Sequence, residues 1–177
     1  VRRNEAGRRA SGRAILPALA IVVFLAGGRG TAEPPEDAFH DPFIENLAGN
    51  WDLTRKIRGH EERNAVDVEW VLAHRFLQVH MVDAARPPRY EALVLIGDAG
   101  DGRYVAHWCD TWGGKYTAIG YGKRAGNAIE FSFAFPDGPF FNTFTWHPDR
   151  REWTCRLENV DKDGKRVLFA EDTLRRP

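Results

Sequence analysis

Two cysteines and one methionine among 177 residues exclude a disulfide-stapled scaffold and a cysteine-based zinc centre. No apolar run reaches the ~20 residues needed to cross a bilayer as a helix. No Gly-x-Ser-x-Gly, Walker loop or dinucleotide-binding fingerprint occurs, and the histidines and cysteines show no zinc spacing. After Gly49 there is no stretch of helical period long enough to bridge two parallel strands, which excludes βαβ architecture. Net charge is also absent, with 25 basic and 25 acidic side chains.

That neutrality is a sum of unlike parts. Arg2, Arg3, Arg8, Arg9, Arg13 and Arg29 face only Glu5 within residues 1–32, so the rest of the chain is net acidic. An acidic domain without clustered Lys/Arg is a poor nucleic-acid binder and a poor match for an anionic membrane. Residues 1–32 read as a signal peptide: an Arg-rich head, an apolar run of about 13 residues from Ala14 to Ala26, then small residues ending in Gly30-Thr31-Ala32. The expectation is export to the periplasm or beyond, without stable membrane insertion after cleavage. An uncleaved anchor is the alternative reading. Residues 33–40 read as a flexible lead-in to a domain over 41–177.

Asp41 to Ala48 reads as a short helix with Asp41 capping it and Phe43, Ile44 and Leu47 on its apolar face. Ten strand-like segments follow, at 49–58, 64–72, 74–83, 89–97, 102–110, 115–122, 127–135, 139–147, 151–160 and 165–175. Turn-forming composition separates them, as in Pro136-Asp137-Gly138-Pro139 and Asp161-Lys162-Asp163-Gly164. Short connections throughout predict an all-β, up-and-down antiparallel meander closed into a barrel. Several segments alternate cleanly: Trp51, Leu53 and Ile57 share a face, as do Val66, Val68, Trp70 and Leu72, and Ile129, Phe131, Phe133 and Phe135. The third and fourth carry apolar groups on both faces. Gly49-Asn50-Trp51 heads the series, and an indole there is placed to plug one end of the barrel. Cys109 and Cys155 fall in strands four apart, usually too distant for a disulfide.

Gly49-x-Trp51, the short preceding helix and the ten-strand meander together resemble the calycin superfamily, which includes lipocalins and fatty-acid-binding proteins. A bacterial family of exported, lipocalin-like proteins of unknown function is similar in Leu47–Asp52, Arg75-Phe76-Leu77, Tyr104–Thr111 and Asp161–Lys165. The chain departs from that family at Ala73-His74, where a glycine pair often precedes Arg-Phe-Leu. The resemblance implies a barrel with an internal cavity and no particular activity.

The candidate pocket residues are Trp51, Arg55, His80, Trp108, Asp110, Tyr116 and Asn142. Arg55 interrupts an apolar face and needs a partner, because a buried unpaired charge is costly. That partner is a ligand carboxylate or an interior acid such as Glu91 or Glu171, unless the guanidinium snorkels out of the barrel mouth into water. Trp108 and Asp110 share a strand face, where an indole can stack on a ligand and a carboxylate accept its hydrogen bond; the alternative is a wall indole with Asp110 capping the Thr111–Gly114 turn. The reading is an exported barrel for a small, mostly apolar ligand with a polar or acidic end. Two alternatives stand beside it. One is an isomerase- or lyase-type enzyme pairing His80 with Glu91 or Asp110. The other is a barrel with a filled core acting through its surface, where Phe140 and Phe141 could form a patch. No metal or cofactor is expected; haem, held by one histidine in a related barrel, is a minor option.

Overall fold

The computed structural model describes residues 38–177, which lie within one compact unit running from Glu33 to Pro177. The signal-peptide expectation and most of the lead-in lie outside the described residues. Ten strands follow one another: β1 Gly49–Ile57, β2 His60–Val71, β3 Phe76–Asp83, β4 Glu91–Asp98, β5 Tyr104–Asp110, β6 Ala118–Ala125, β7 Ala128–Phe135, β8 Gly138–His147, β9 Glu152–Val160 and β10 Arg166–Arg175. Each pairs antiparallel with the next, and β1 pairs with β10, giving a closed barrel without free edges.

Alternation decides what faces inward. Trp51, Leu53 and Arg55 of β1 are buried between exposed Asp52 and Lys56. On β7, Ile129, Phe131 and Phe133 are buried and Glu130 and Ser132 are exposed. The β6 face opposite is made of Ala118, Gly120 and Gly122, which leaves room for those rings. A Cβ on Gly120 would stand 2.5 Å from the Phe133 ring. Large residues on one strand are thus matched by small ones on its neighbour.

One end of the barrel is capped. The expected helix over 41–48 is a single 3-10 turn, Ile44–Leu47, with Ile44 and Leu47 buried. Asp41 accepts the Phe43 backbone N–H from two residues ahead of the N-cap position, which Phe43 itself occupies. Three indoles hold this turn. Trp51 Nε1 donates to the Leu47 carbonyl at 2.7 Å, Trp153 Nε1 to the Asn46 carbonyl at 3.3 Å, and Trp70 Nε1 to Glu45 at 2.7 Å. The Arg176 guanidinium lies 3.7 Å over the Trp51 ring and donates to the Ala48 and Asn50 carbonyls. Gly49, at φ +106°, lies directly beneath that guanidinium. The opposite end is ringed by Arg58–Gly59, the 84–90 and 111–117 loops, Pro136–Asp137 and 161–165.

Several expectations are corrected. Leu72 leaves the inner face of β2, because Leu72, Ala73 and His74 turn at φ +52°, +56° and +62°. Left-handed backbone is the conformation glycine adopts most readily, so Ala73 and His74 stand at positions that would suit it. Here the His74 ring stacks on Trp70 at 4.0 Å. β2 starts at His60 rather than 64, and β6 at Ala118 rather than 115, because Gly114–Tyr116 forms a 3-10 turn. Phe140 and Phe141 do not form one patch. They alternate, Phe140 edge-on to Phe135 and Phe169, and Phe141 beneath the Arg166 guanidinium at 3.5 Å.

Candidate functional site

The polar groups inside the barrel converge where β1, β10, β9 and β8 meet. Arg55 stands opposite Asp172 across the β1–β10 pairing. Its Nε and Nη2 donate to the two carboxylate oxygens at 2.8 and 2.7 Å, with side chains only 8% and 3% exposed. This is the bidentate geometry that suits guanidinium and carboxylate best. Burial opposes the guanidinium's charge, but the Asp172 hydrogen bonds and charge outweigh it, so the Arg55 pKa is raised. Arg55 is therefore satisfied internally, by Asp172 rather than by Glu91 or Glu171, both of which point outward.

Beside the pair lies a cavity of about 20 Å³. Around it stand Arg55, Asp172, Cys155, Met81, Trp108 and Asn142, among aliphatic side chains from β1 to β4 and Leu174. Burial pushes the Cys155 thiol well up, so it remains protonated. Asn142, 2% exposed, brings its amide to this cavity from β8, and its Oδ1 has no hydrogen-bond partner. Buried polar atoms are nearly always paired, so this acceptor stands out.

Toward the open end, Asp110 collects three donors: Trp108 Nε1 at 3.0 Å, the Tyr90 hydroxyl at 3.2 Å and the Trp112 backbone N–H at 2.9 Å. Burial, and then the Asp110 charge, raise the Tyr90 pKa, keeping that phenol a donor. Its ring lies 5.8 Å from the Arg55 guanidinium, linking the two groups. Tyr116 sits on the rim, its hydroxyl donating to Asp137 at 3.0 Å.

Of the seven candidates, Arg55, Trp108 and Asn142 border the cavity, and Asp110 and Tyr116 stand nearer the mouth. Trp51 is the plug beneath the cap and does not touch the cavity. His80 is corrected outright. β3 buries Leu77, Val79, Met81 and Asp83, so His80 lies on the outer wall, paired with Glu91 at 2.6 Å, the two side chains 40% and 53% exposed. The base–acid pair of the enzyme reading is thus real in geometry but outside the barrel. Cys109 is exposed and Cys155 buried, and both are free thiols. No histidine borders the cavity, so the single-histidine haem option has no ligand there. Among the described residues, no group of three His, Cys, Asp or Glu is placed to hold a metal ion.

Sequence reasoning missed Asp172, Tyr90, Met81 and Cys155. Asp172 carried the same signal as Arg55, a lone charge in the apolar alternation Ala170-Asp172-Leu174.

A second, larger hollow of about 900 Å³ lies at the capped end, bordered by Phe39, Asp41, Arg75, Asp98, Arg103 and Arg124. It is open to solvent and its charges are engaged: Arg103 with Asp101, and Arg124 with Asp41 and the Gly126 carbonyl. Tyr104 donates a short hydrogen bond to Asp41 there. Among the described residues no unpartnered buried polar atom faces this hollow, so the smaller interior cavity is the better candidate.

No protein-family model and no curated protein matches the chain. Among solved structures, it is similar to the crystal structure of Rv2717c from M. tuberculosis, with a TM-score of 0.57 at 16% identity, over 78% of this chain and 99% of that one. A redesigned β-barrel aligns with a TM-score of 0.33 at 12% identity, over 76% of this chain and 94% of that one. The first likeness, at that identity, extends to the fold alone: a closed ten-strand antiparallel barrel.

Proposed function

We propose that this barrel binds a small, mostly apolar ligand in its interior, the ligand's polar end lying beside Asn142 and the Arg55–Asp172 pair. The observation that carries the reading is the buried Asn142 Oδ1 without a partner, on a residue of a cavity otherwise lined by aliphatic side chains, Met81, Trp108, Phe144, the Cys155 thiol and one ion pair. A few placed polar groups in an apolar surround are the usual composition of a small-molecule site. The calycin resemblance supports the same reading. The Arg-rich head and apolar run of residues 1–32 support a periplasmic or secreted location.

A cavity of about 20 Å³ holds roughly one water, so a larger ligand enters by displacing side chains. Met81, an unbranched thioether, and Phe144 border the cavity and are the groups to move. The same volume favours a second reading, in which the core stays filled and the protein acts through its outer surface. Native mass spectrometry of protein purified from cells expressing the whole chain, with solvent extraction beside it and titration of an amphiphile panel, separates the two. A bound small molecule, or saturable binding weakened by Asn142→Leu, supports interior binding. An empty protein that binds no member of the panel leaves the filled-core reading standing.

A further inference from the structure

We infer that the open rim of the barrel docks on an anionic phospholipid surface, led by Trp112 and two adjoining basic loops. Interior binding is not required for it. Trp112 is the most exposed large apolar side chain among the described residues, at 71%. Its loop is fixed by hydrogen bonds: the Trp112 and Gly113 N–H groups donate to Asp110, and the Tyr116 N–H to the Gly113 carbonyl. The indole meets the Tyr116 ring edge-on, centroids 6.4 Å apart, and otherwise stands in solvent. An indole held outward in this way adds little to the core and is available to a partner.

Below that loop the outer wall is apolar too. Leu93 on β4 pairs across the strands with Cys109 on β5, and Ile119 on β6 lies diagonal to Cys109; all three are exposed. The wall there is the outside of a closed barrel and therefore convex. A second rigid barrel could touch only a narrow strip of it, whereas a layer of lipid headgroups yields to its shape. Charge selects the kind of layer. The adjacent loops 84–90 and 111–117 carry Arg86, Arg89 and Lys115 and no acid. The acids nearest them are engaged. Asp83 is buried and paired with Arg89, Asp110 holds its three donors, Asp137 accepts the Tyr116 hydroxyl, and Glu91 is bonded to His80. Tryptophan and tyrosine beside lysine and arginine are the groups that anchor proteins at headgroup level, and the basic ones draw them to anionic lipid. The domain's net acidity, which as a whole disfavours such a membrane, lies outside these two loops. Repulsion of the rest orients the barrel with its mouth toward the lipid.

The test mixes protein purified from cells expressing the whole chain with phosphatidylcholine vesicles containing about 30% phosphatidylglycerol. Cosedimentation reads affinity. Brominated acyl chains, which quench only tryptophans that reach them, read orientation. Wild type is expected to sediment with these vesicles, far less with phosphatidylcholine alone, and to lose fluorescence to the brominated lipid. Trp112→Phe is expected to remove that quenching, because the other five indoles are buried or half-buried in the barrel. Arg86→Glu/Lys115→Glu is expected to weaken binding about tenfold or more, since each basic group at such a surface counts for roughly fivefold. All three side chains are exposed, so the variants keep the fold. No sedimentation with the anionic vesicles overturns the docking. Sedimentation without quenching of Trp112, or unchanged by the charge reversals, places the contact elsewhere in the chain and overturns the rim's role. Equal binding to both lipids overturns the selection by charge. None of these results touches interior binding, which mass spectrometry and the amphiphile titrations read separately.

Discussion

Removing the Asp172 carboxylate would strand the Arg55 guanidinium inside the barrel. Both side chains are almost fully buried, and the two hydrogen bonds of 2.8 and 2.7 Å replace the water that each group loses. Arginine cannot escape by shedding its proton. Asp172→Ala is therefore expected to cost about 3–5 kcal/mol, the range for leaving one member of a buried pair uncompensated. Against a typical domain stability of roughly 5–15 kcal/mol, that is a large share. The double variant Arg55→Met/Asp172→Leu removes both charges and keeps the volume apolar, so its stability should match or exceed wild type. Urea unfolding followed by tryptophan fluorescence measures all three proteins, with midpoint and slope compared. A loss below about 1 kcal/mol for Asp172→Ala would mean the guanidinium reaches water and the pair is peripheral. A double variant as unstable as the single would assign the loss to packing rather than to a stranded charge.

Asp83 fixes the loop between β3 and β4 at the open rim by accepting the Ala85 and Arg89 backbone N–H groups and the Arg89 side chain. Those bonds, the Ala85 one foremost, hold its pKa below the usual 3.8. A lowered folded pKa stabilises the fold above the unfolded value. Asp83→Asn should thus lose about 1 kcal/mol at neutral pH, with the gap to wild type closing as pH falls through the folded pKa, as read by urea midpoints across pH. Ala73→Gly relieves one left-handed residue in the β2–β3 turn. It is expected to raise stability by up to about 1 kcal/mol in thermal unfolding; a clear loss would mean that the turn is not strained. His80→Ala should leave ligand titrations unchanged and stability within about 1 kcal/mol of wild type, since the His80–Glu91 pair is on the surface. Weaker ligand binding in that variant would return His80 to the site.

Ten strands could be read from the chain because turn chemistry brackets each one and most alternate with period two. Arg55 was visible as a charge on an apolar face, and Asp172 carried a similar local signal, but nothing local showed that the two pair. Asp172 lies in β10, where the register shifts between Leu168 and Ala170, so parity read from the start of that strand fails before it reaches Asp172. The contact also joins the first strand to the last, and no local pattern reports such a pairing. His80 was misplaced because β3 carries apolar groups on both faces, Phe76 and Val82 outside and Leu77, Val79 and Met81 inside. Period alone cannot choose between them. The unpartnered Asn142 Oδ1 is a property of three-dimensional packing; the sequence shows only an amide between Phe140 and Phe144.

The β1–β10 pairing is also where the chain must meet its own beginning. Every other strand contact is a hairpin between neighbours, whereas Arg55 and Asp172 lie 117 residues apart. Loop closure makes such a contact entropically late, so the seam is the natural last step of assembly. A slip of two residues there would preserve the inward and outward faces but set Arg55 opposite Ala170 or Leu174, leaving two opposite charges buried apart. The ion pair therefore acts as a key for register: hydrophobic patterning alone accepts several closures, and the charges accept one. In the Arg55→Met/Asp172→Leu variant, amide hydrogen exchange in β1 and β10 should become faster or heterogeneous while β6 to β8 keep their protection; uniform protection across the seam would show that packing alone sets the register.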